Sequence, residues 1–429
     1  MQLPLRVLVA PSGFKESLGA EEVADCIENG ILRAMGDTPV KVRKVPLHDG
    51  GEGFCRALVA AHNGTLRQVE VMGPVKQPVQ SCYGLIGPNH KTAVLDMASA
   101  AGLSLVPTHS RDPTKTTTYG VGQLIAAALD EGCTKIIIGC GDSGTSDGGA
   151  GMLQALGARF LNAHGEPLPV AEGGGSLVGL TKICFEGLHP KLRNKGQGES
   201  IQIEAVCNIQ NILCGERGVA RVYGPQKGAT AEQIEILSTA MDNIATAANA
   251  HTEIDLHSEP GAGASGGLGA GLLLLNASLR ARAEAIDEYF QLHDVFNTPW
   301  DIVFTAEGSL DYQSAKGKMT VEVARRARQH GCSHVIALAG TIGDGAESVY
   351  GEGIAAFTSI LDGPLSLKAA IEQTPHLLTN AAERTMRLLQ VGLSMHQGSA
   401  ARKQFSAPIV MQNSLPSASL APMPAVTSG

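Results

Sequence analysis

The sequence lacks most of the short motifs that assign a function at once. No G-x-x-x-x-G-K-[ST] run occurs; "SAKGKMT" has a Gly-Lys pair but neither the upstream glycine nor the following hydroxyl, so a P-loop is not supported. No G-x-S-x-G and no H-E-x-x-H is present, which weighs against serine hydrolases and zinc proteases. The nine cysteines include no C-x-x-C and no paired zinc spacing, the pattern of reduced core thiols in an intracellular protein. No run reaches the ~20 apolar residues of a membrane span; "GAGLLLLNASL" is too short, and the opening "MQLPLRVLVAPSGFK" lacks the order of a signal peptide. Excess positive charge is missing too. Thirty-three Lys and Arg face 41 Asp and Glu, a net charge of −8, so long-range attraction to nucleic acid or to an anionic membrane is not expected. A locally positive site for a small anion stays open. The expectation is a soluble, cytoplasmic protein with no nucleic-acid or membrane partner.

Glycine is what the chain has in excess. The 52 glycines cluster between apolar segments, as in an α/β enzyme with many tight strand-to-helix turns. The 429 residues exceed one average domain, and 43% hydrophobic content can fill a large core. "LRVLVAP" reads as a buried strand, and "SLGAEEVADCIENGILRAM" as a helix with Ser17 as N-cap. "VKVRKVPLHDGGEG" is a strand with a polar turn, followed by the helix "FCRALVAAHNG". From Thr65 to about Leu95 alternation and Gly-Pro breaks suggest a β-hairpin. "TAEQIEILSTAMDNIATAANA" is an amphipathic helix, and "DIVFTAEG", "HVIALAG" and "GIAAFTSIL" are late strands. Strand–helix alternation at both ends predicts a parallel, doubly wound sheet built from 1–66 and 281–393. The mixed region 67–280 is then an inserted second α/β domain, and 394–429 a disordered tail.

In such sheets ligands bind at the carboxyl ends of strands. The polar glycine loops there are "PSGFKES", "HDGGEG", "GCGDSGTSDGG", "YGPQKGAT", "PGAGASGG" and "AEGSLDYQSAKGK". Gly139, Gly141 and Gly144 spell G-x-G-x-x-G, but no acidic residue follows at the distance a dinucleotide fold requires. The loop can instead aim N–H groups at an anion, with Ser143, Thr145 and Ser146 adding hydroxyls. Asp147 there could hold a metal or accept a proton; the bland alternative is that Ser146 or Asp147 caps the next helix. Asp49 and Glu52 flank a flexible turn and could bind Mg²⁺ or take a proton, or be a solvated turn. Lys15 and Lys227 could neutralise phosphate or carboxylate, or be solubilising lysines. Glu307, Asp311, Lys316 and Lys318 form a dense cluster after an apolar strand.

As an ordered set, from about Leu5 to about Gly392, these segments resemble the bacterial-type glycerate kinases, which phosphorylate glycerate at its 2-hydroxyl. The resemblance implies a flavodoxin-like domain and a second α/β domain with a cleft between them, binding ATP, Mg²⁺ and glycerate. It implies catalytic roles for Lys15, Asp49, Asp147 and Lys227, with Asp49 and Asp147 as Mg²⁺ ligands. Glu52, Gly141, Ser143, Thr145, Gly148, Gly263, Gly266, Glu307, Asp311 and Lys318 would bind substrate or nucleotide, in a monomer or homodimer. The chain departs from the family pattern in these loops. Ser12 stands for aspartate, Gly13 for serine, Asp142 for glycine, Ser146 for asparagine, Asn208 for aspartate, Ile212 for proline, Ser309 for arginine and Lys316 for histidine. A kinase for another hydroxy acid, and a homologue that binds without turnover, fit the same motifs.

Overall fold

The structure is a computed structural model that describes residues 3–14, 17–48, 50–193, 200–316 and 318–405. Its strands, in chain order, are β1 (Leu5–Val9), β2 (Val40–Lys44), β3 (Thr65–Met72), β4 (Pro78–Ile86), β5 (Thr92–Asp96), β6 (Lys135–Gly139), β7 (Arg159–Leu161), β8 (Lys182–Cys184), β9 (Gln202–Cys207), β10 (Ser278–Ala281), β11 (Ile302–Leu310), β12 (Val335–Ile342) and β13 (Ala356–Ser359). The first sheet has the order β13-β12-β11-β1-β2, all parallel. The second is mixed, in the order β10-β9-β6-β5-β4-β3, with β3, β4 and β5 antiparallel and the rest parallel. β7 and β8 make a small antiparallel pair.

Period-two alternation along β1 shows why the first sheet is covered on both faces. Val7 and Val9 point into one apolar cluster with Ile27, Ile31, Leu378 and Met386, which come from the helices Ala20–Met35 and Leu367–Phe405. Leu8 points the other way, into a cluster with Phe54, Leu58, Val303 and Val335. That second cluster runs on into Cys82, Val94, Ile137 and Val206 of the second sheet. The helix Phe54–Ala61 is thus wedged between the two sheets, and Phe54, wholly buried, is the pin. Truncating such a phenylalanine costs about 3–5 kcal/mol.

Two local expectations change, the cap of the first helix and the start of the tail. Helix Ala20–Met35 is capped at Gly19, whose N–H donates to Glu22 Oε2 at 3.0 Å, and not at Ser17, whose hydroxyl donates to the Ile371 carbonyl. β3 begins at Thr65, where the alternation in the sequence starts the hairpin. The last helix continues through Phe405, past the expected start of the tail at 394; residues 406–429 lie outside the described ones. Among the described residues no helix is long and apolar enough to cross a membrane.

Candidate active site

The carboxyl ends of the two sheets meet along a seam. After β1, the Ser12 N–H and hydroxyl both donate to the Ala306 carbonyl of β11, at 2.9 Å each. The Leu47 N–H donates to the Pro11 carbonyl, which lays the segment after β2 beside the segment after β1. The turn at 50–53 then crosses to the second sheet. Gly141 meets Gly51 so closely that a β-carbon at 141 would lie 2.7 Å from the Gly51 α-carbon. The Glu52 N–H donates to the Asp142 carboxylate at 3.2 Å, and Glu52 Oε2 accepts from the Ser104 hydroxyl at 3.0 Å. His48, buried at the turn's start, lies 3.0 Å through Nε2 from Glu21 Oε1.

Beyond the seam two glycine turns of the second sheet touch. The Gly148 N–H donates to the Gly266 carbonyl at 3.0 Å. Gly266 has φ +71°, and a β-carbon there would stand 1.9 Å from the Thr145 carbonyl and 3.1 Å from Lys227 Nζ. Only glycine fits, on both counts. Gly263 lies at the start of the same turn, its N–H donating to the Asn211 carbonyl at 3.0 Å. Lys227, in the turn Pro225–Lys227, is buried and donates to Ser143 Oγ at 2.9 Å and to the Thr145 carbonyl at 2.5 Å. Burial pushes its pKa down to about 7, against the pull of the nearby Asp147 charge. The hydroxyls of Thr145, Ser146 and Ser265 are buried and have no hydrogen-bond partner. Each orphan of this kind costs about 1–3 kcal/mol, so three on adjoining turns, beside a lysine withdrawn from water, mark a cradle for a polar guest. Arg111 borders it: its backbone packs against Gly228, and its Nε is buried without a partner.

Asp147 is equally buried but already occupied. Its oxygens accept from the Thr118 N–H at 2.8 Å, the Thr118 hydroxyl at 2.9 Å, and the Gly149 and Gly151 N–H groups at 3.2 Å. Burial raises its pKa, and these donors pull it back. It caps the first turn of helix Ala150–Ala155 and ties that turn to Thr118, so the capping alternative describes it. Each of these donors comes from the fold around Asp147, which fixes the carboxylate in place at the end of the 143–146 turn.

The cluster after β11 is of another kind. Lys318 Nζ lies 3.4 Å from Glu307 Oε2 and 3.5 Å from Asp311 Oδ1, and donates to the Ser309 carbonyl at 2.7 Å. Glu307 also accepts from the Thr320 hydroxyl at 2.8 Å. Burial raises its pKa, with the Lys318 charge opposing. Among the described side chains of this cluster two carboxylates face one ammonium, a net negative group suited to hydroxyls or a cation. Ser12, through Ala306, joins this cluster to the seam.

The sequence profile of the Glycerate kinase family matches residues 7–390. The chain belongs to the glycerate kinase family. It is 41% identical to the glycerate kinase of Halalkalibacterium halodurans over 377 residues, covering 88% of this chain and 96% of that one. It is 38% identical to the glycerate 2-kinase of Escherichia coli over 390 residues, covering 91% and 99%. A crystal structure described as glycerate kinase 2 of Salmonella typhimurium superposes with a TM-score of 0.71 at 37% identity, covering 91% of this chain and 99% of that one.

Within that family frame, Asp142 occupies a left-handed position, φ +48°, at which the family pattern has glycine, and uses its carboxylate to hold the Glu52 N–H. Ser146, at the family's asparagine, is one of the orphan hydroxyls. Asn208, at an aspartate, accepts from the Gln210 N–H at 3.1 Å. Lys15 and Asp49 lie outside the described residues, as does the side chain of Lys316. Thr118, Ser265, Arg111 and His48 were not singled out by sequence. Nothing in their spacing marks them, although a serine inside a glycine run is a weak pointer to Ser265.

Proposed function

We propose that this chain transfers the terminal phosphoryl group of ATP to the 2-hydroxyl of D-glycerate, giving 2-phosphoglycerate and ADP. The observation that carries the reading is the cradle: Lys227 and three orphan hydroxyls on two glycine turns. Phosphoryl transfer asks for positioning and charge neutralisation more than covalent help, and these groups supply both to an anionic phosphate chain. A phosphate oxygen would accept from Lys227, Thr145, Ser146 and Ser265, while the close-packed Gly148 and Gly266 let the backbone approach. The names of the relatives, glycerate kinase and glycerate 2-kinase, support the acceptor.

Mg²⁺, when bound, would neutralise charge on the transferring group. Glu52 and Asp142 are the described carboxylates at the seam that would hold it. Asp147 is a positioning residue that fixes the 143–146 turn. Asp49 and Lys15 keep their roles as base and anion partner on the resemblance; His48 and Gly50 bring the one segment to the seam, and Ser12 the other. In the transfer the acceptor oxygen bonds to phosphorus, the bond from phosphorus to the ADP oxygen breaks, and the hydroxyl proton passes to a carboxylate. We further propose that the two sheets are two domains facing across this seam, in a cytoplasmic enzyme that is a monomer or homodimer.

The test is to incubate purified protein with Mg-ATP and D-glycerate and to identify the product by mass and phosphorus NMR. Phosphate on the C2 oxygen is expected. Phosphate on C3, or faster turnover of a different hydroxy acid, would contradict the reading and direct attention to Ser309, which replaces a family arginine.

A further inference from the structure

On the far side of the glycine turn, three side chains distant in sequence converge. Cys214, Asp242 and His257 place one ligand atom each within 4.8 Å of one another. Tetrahedral Zn²⁺ bound through S, N and O sets such atoms about 3.6 Å apart, so closing by roughly 1 Å completes the geometry. The backbone is already paired there: the Cys214 N–H donates to the His257 carbonyl at 3.2 Å. The imidazole is oriented as well. His257 Nδ1 lies 3.1 Å from Asp255 Oδ1, and Asp255 is held by the His257 N–H and the Ser258 hydroxyl. A carboxylate on Nδ1 that leaves Nε2 for a cation is the supporting arrangement of zinc-bound histidines. The local charge has the right sign, since the Asp242 carboxylate lies beside Cys214 and the Asp255 carboxylate beside His257. A cavity of about 470 Å³, lined by Gly215, Glu216, Arg221, Ser238 and Asp242, adjoins the group at Asp242.

We propose that Cys214, Asp242 and His257 bind one divalent cation of the zinc class, with Asp255 orienting the histidine and water or Glu216 in the fourth position. Binding replaces the thiol proton: Cys–SH and M²⁺ give the metal thiolate and a proton released to solvent, with no change of oxidation state. The ion ties the segment 208–218 to the turn 255–258 and to helix Ala231–Ala248. The first of these carries the Asn211 carbonyl that accepts from the Gly261 and Gly263 N–H groups. The site is therefore a structural staple behind the cradle and apart from the reacting groups.

Full-length protein, stripped with chelator under reducing conditions, is titrated with Co²⁺ and then Zn²⁺. The expected result is one Co²⁺ per chain with a thiolate-to-cobalt charge-transfer band, displaced by one equivalent of Zn²⁺ and absent from Cys214→Ser. Affinity should fall by about tenfold or more in Asp242→Asn and His257→Gln. Asp242 is exposed, so its variant keeps the test valid if Cys214→Ser does not fold. No binding to the parent chain, a band that survives in Cys214→Ser, or unchanged affinity in both other variants overturns the proposal. Turnover of Mg-ATP and glycerate, followed in parallel, reports on the kinase reading separately.

Discussion

Two lysines in this molecule sit in turns that precede helices, and their surroundings differ. Lys318 is answered by Glu307 and Asp311, so its charge is spent inside the protein. Lys227 is buried with one hydroxyl and one carbonyl as its hydrogen-bond acceptors, amid hydroxyls that bond to nothing. The first arrangement stabilises its loop as it stands. The second is under-satisfied, and a protein keeps such a place when a ligand completes it. Proximity of charged residues in a loop is thus a weaker sign of function than polar groups left without partners.

The comparison is broken most directly by Lys227→Met. Loss of the cradle's charge should lower kcat/KM by about 10²–10³-fold, measured by steady-state kinetics with Mg-ATP and glycerate; an effect no larger than that of Lys318→Met would erase the distinction. Next in size is Gly266→Ala. A methyl group 1.9 Å from the Thr145 carbonyl, on a left-handed backbone, should cost about 2–4 kcal/mol in a denaturant melt and abolish turnover. Asp147→Asn keeps the shape but surrenders one acceptor oxygen. It should cost about 1–3 kcal/mol of stability, and a loss of turnover in a variant of unchanged stability would instead return Asp147 to a chemical role. The smallest effect is expected for Lys318→Met, about 1 kcal/mol. Its size depends on pH. Glu307 already titrates above its free value, and without Lys318 it would titrate higher still, so the variant should fall further below the parent as pH rises through that range and match it most closely in acid.

Much of the fold was legible because its signals are local. Val7, Leu8 and Val9 show a strand buried on both sides, and the amphipathic spacing of "TAEQIEILSTAMDNIATAANA" shows a helix, realised as Ala231–Ala248. The glycine turns were legible as turns; their contact at Gly148 and Gly266 joins the turn after β6 to the start of helix Ala264–Leu274. What was not legible is which acid a loop keeps for itself. Asp142 and Asp147 lie five residues apart in one polar run, yet one faces the seam and the other is swallowed by Thr118 and a helix start. Only tertiary packing separates them. The grouping of Cys214, Asp242 and His257 was hidden for the same reason, since its spacing in the chain follows no motif.

The central claim is that Lys227 awaits an anion. With burial holding its folded pKa near 7, below the unfolded value, the group's contribution to stability is complete in alkali and is lost as pH falls through about 7. An arriving phosphate reverses that shift, so binding must take up a proton. Calorimetric titration with ATP at pH 8, in buffers of different ionisation enthalpy, measures this directly. The account predicts uptake of about one proton per nucleotide bound, absent in Lys227→Met; binding of equal affinity with no proton uptake in the parent chain would contradict it.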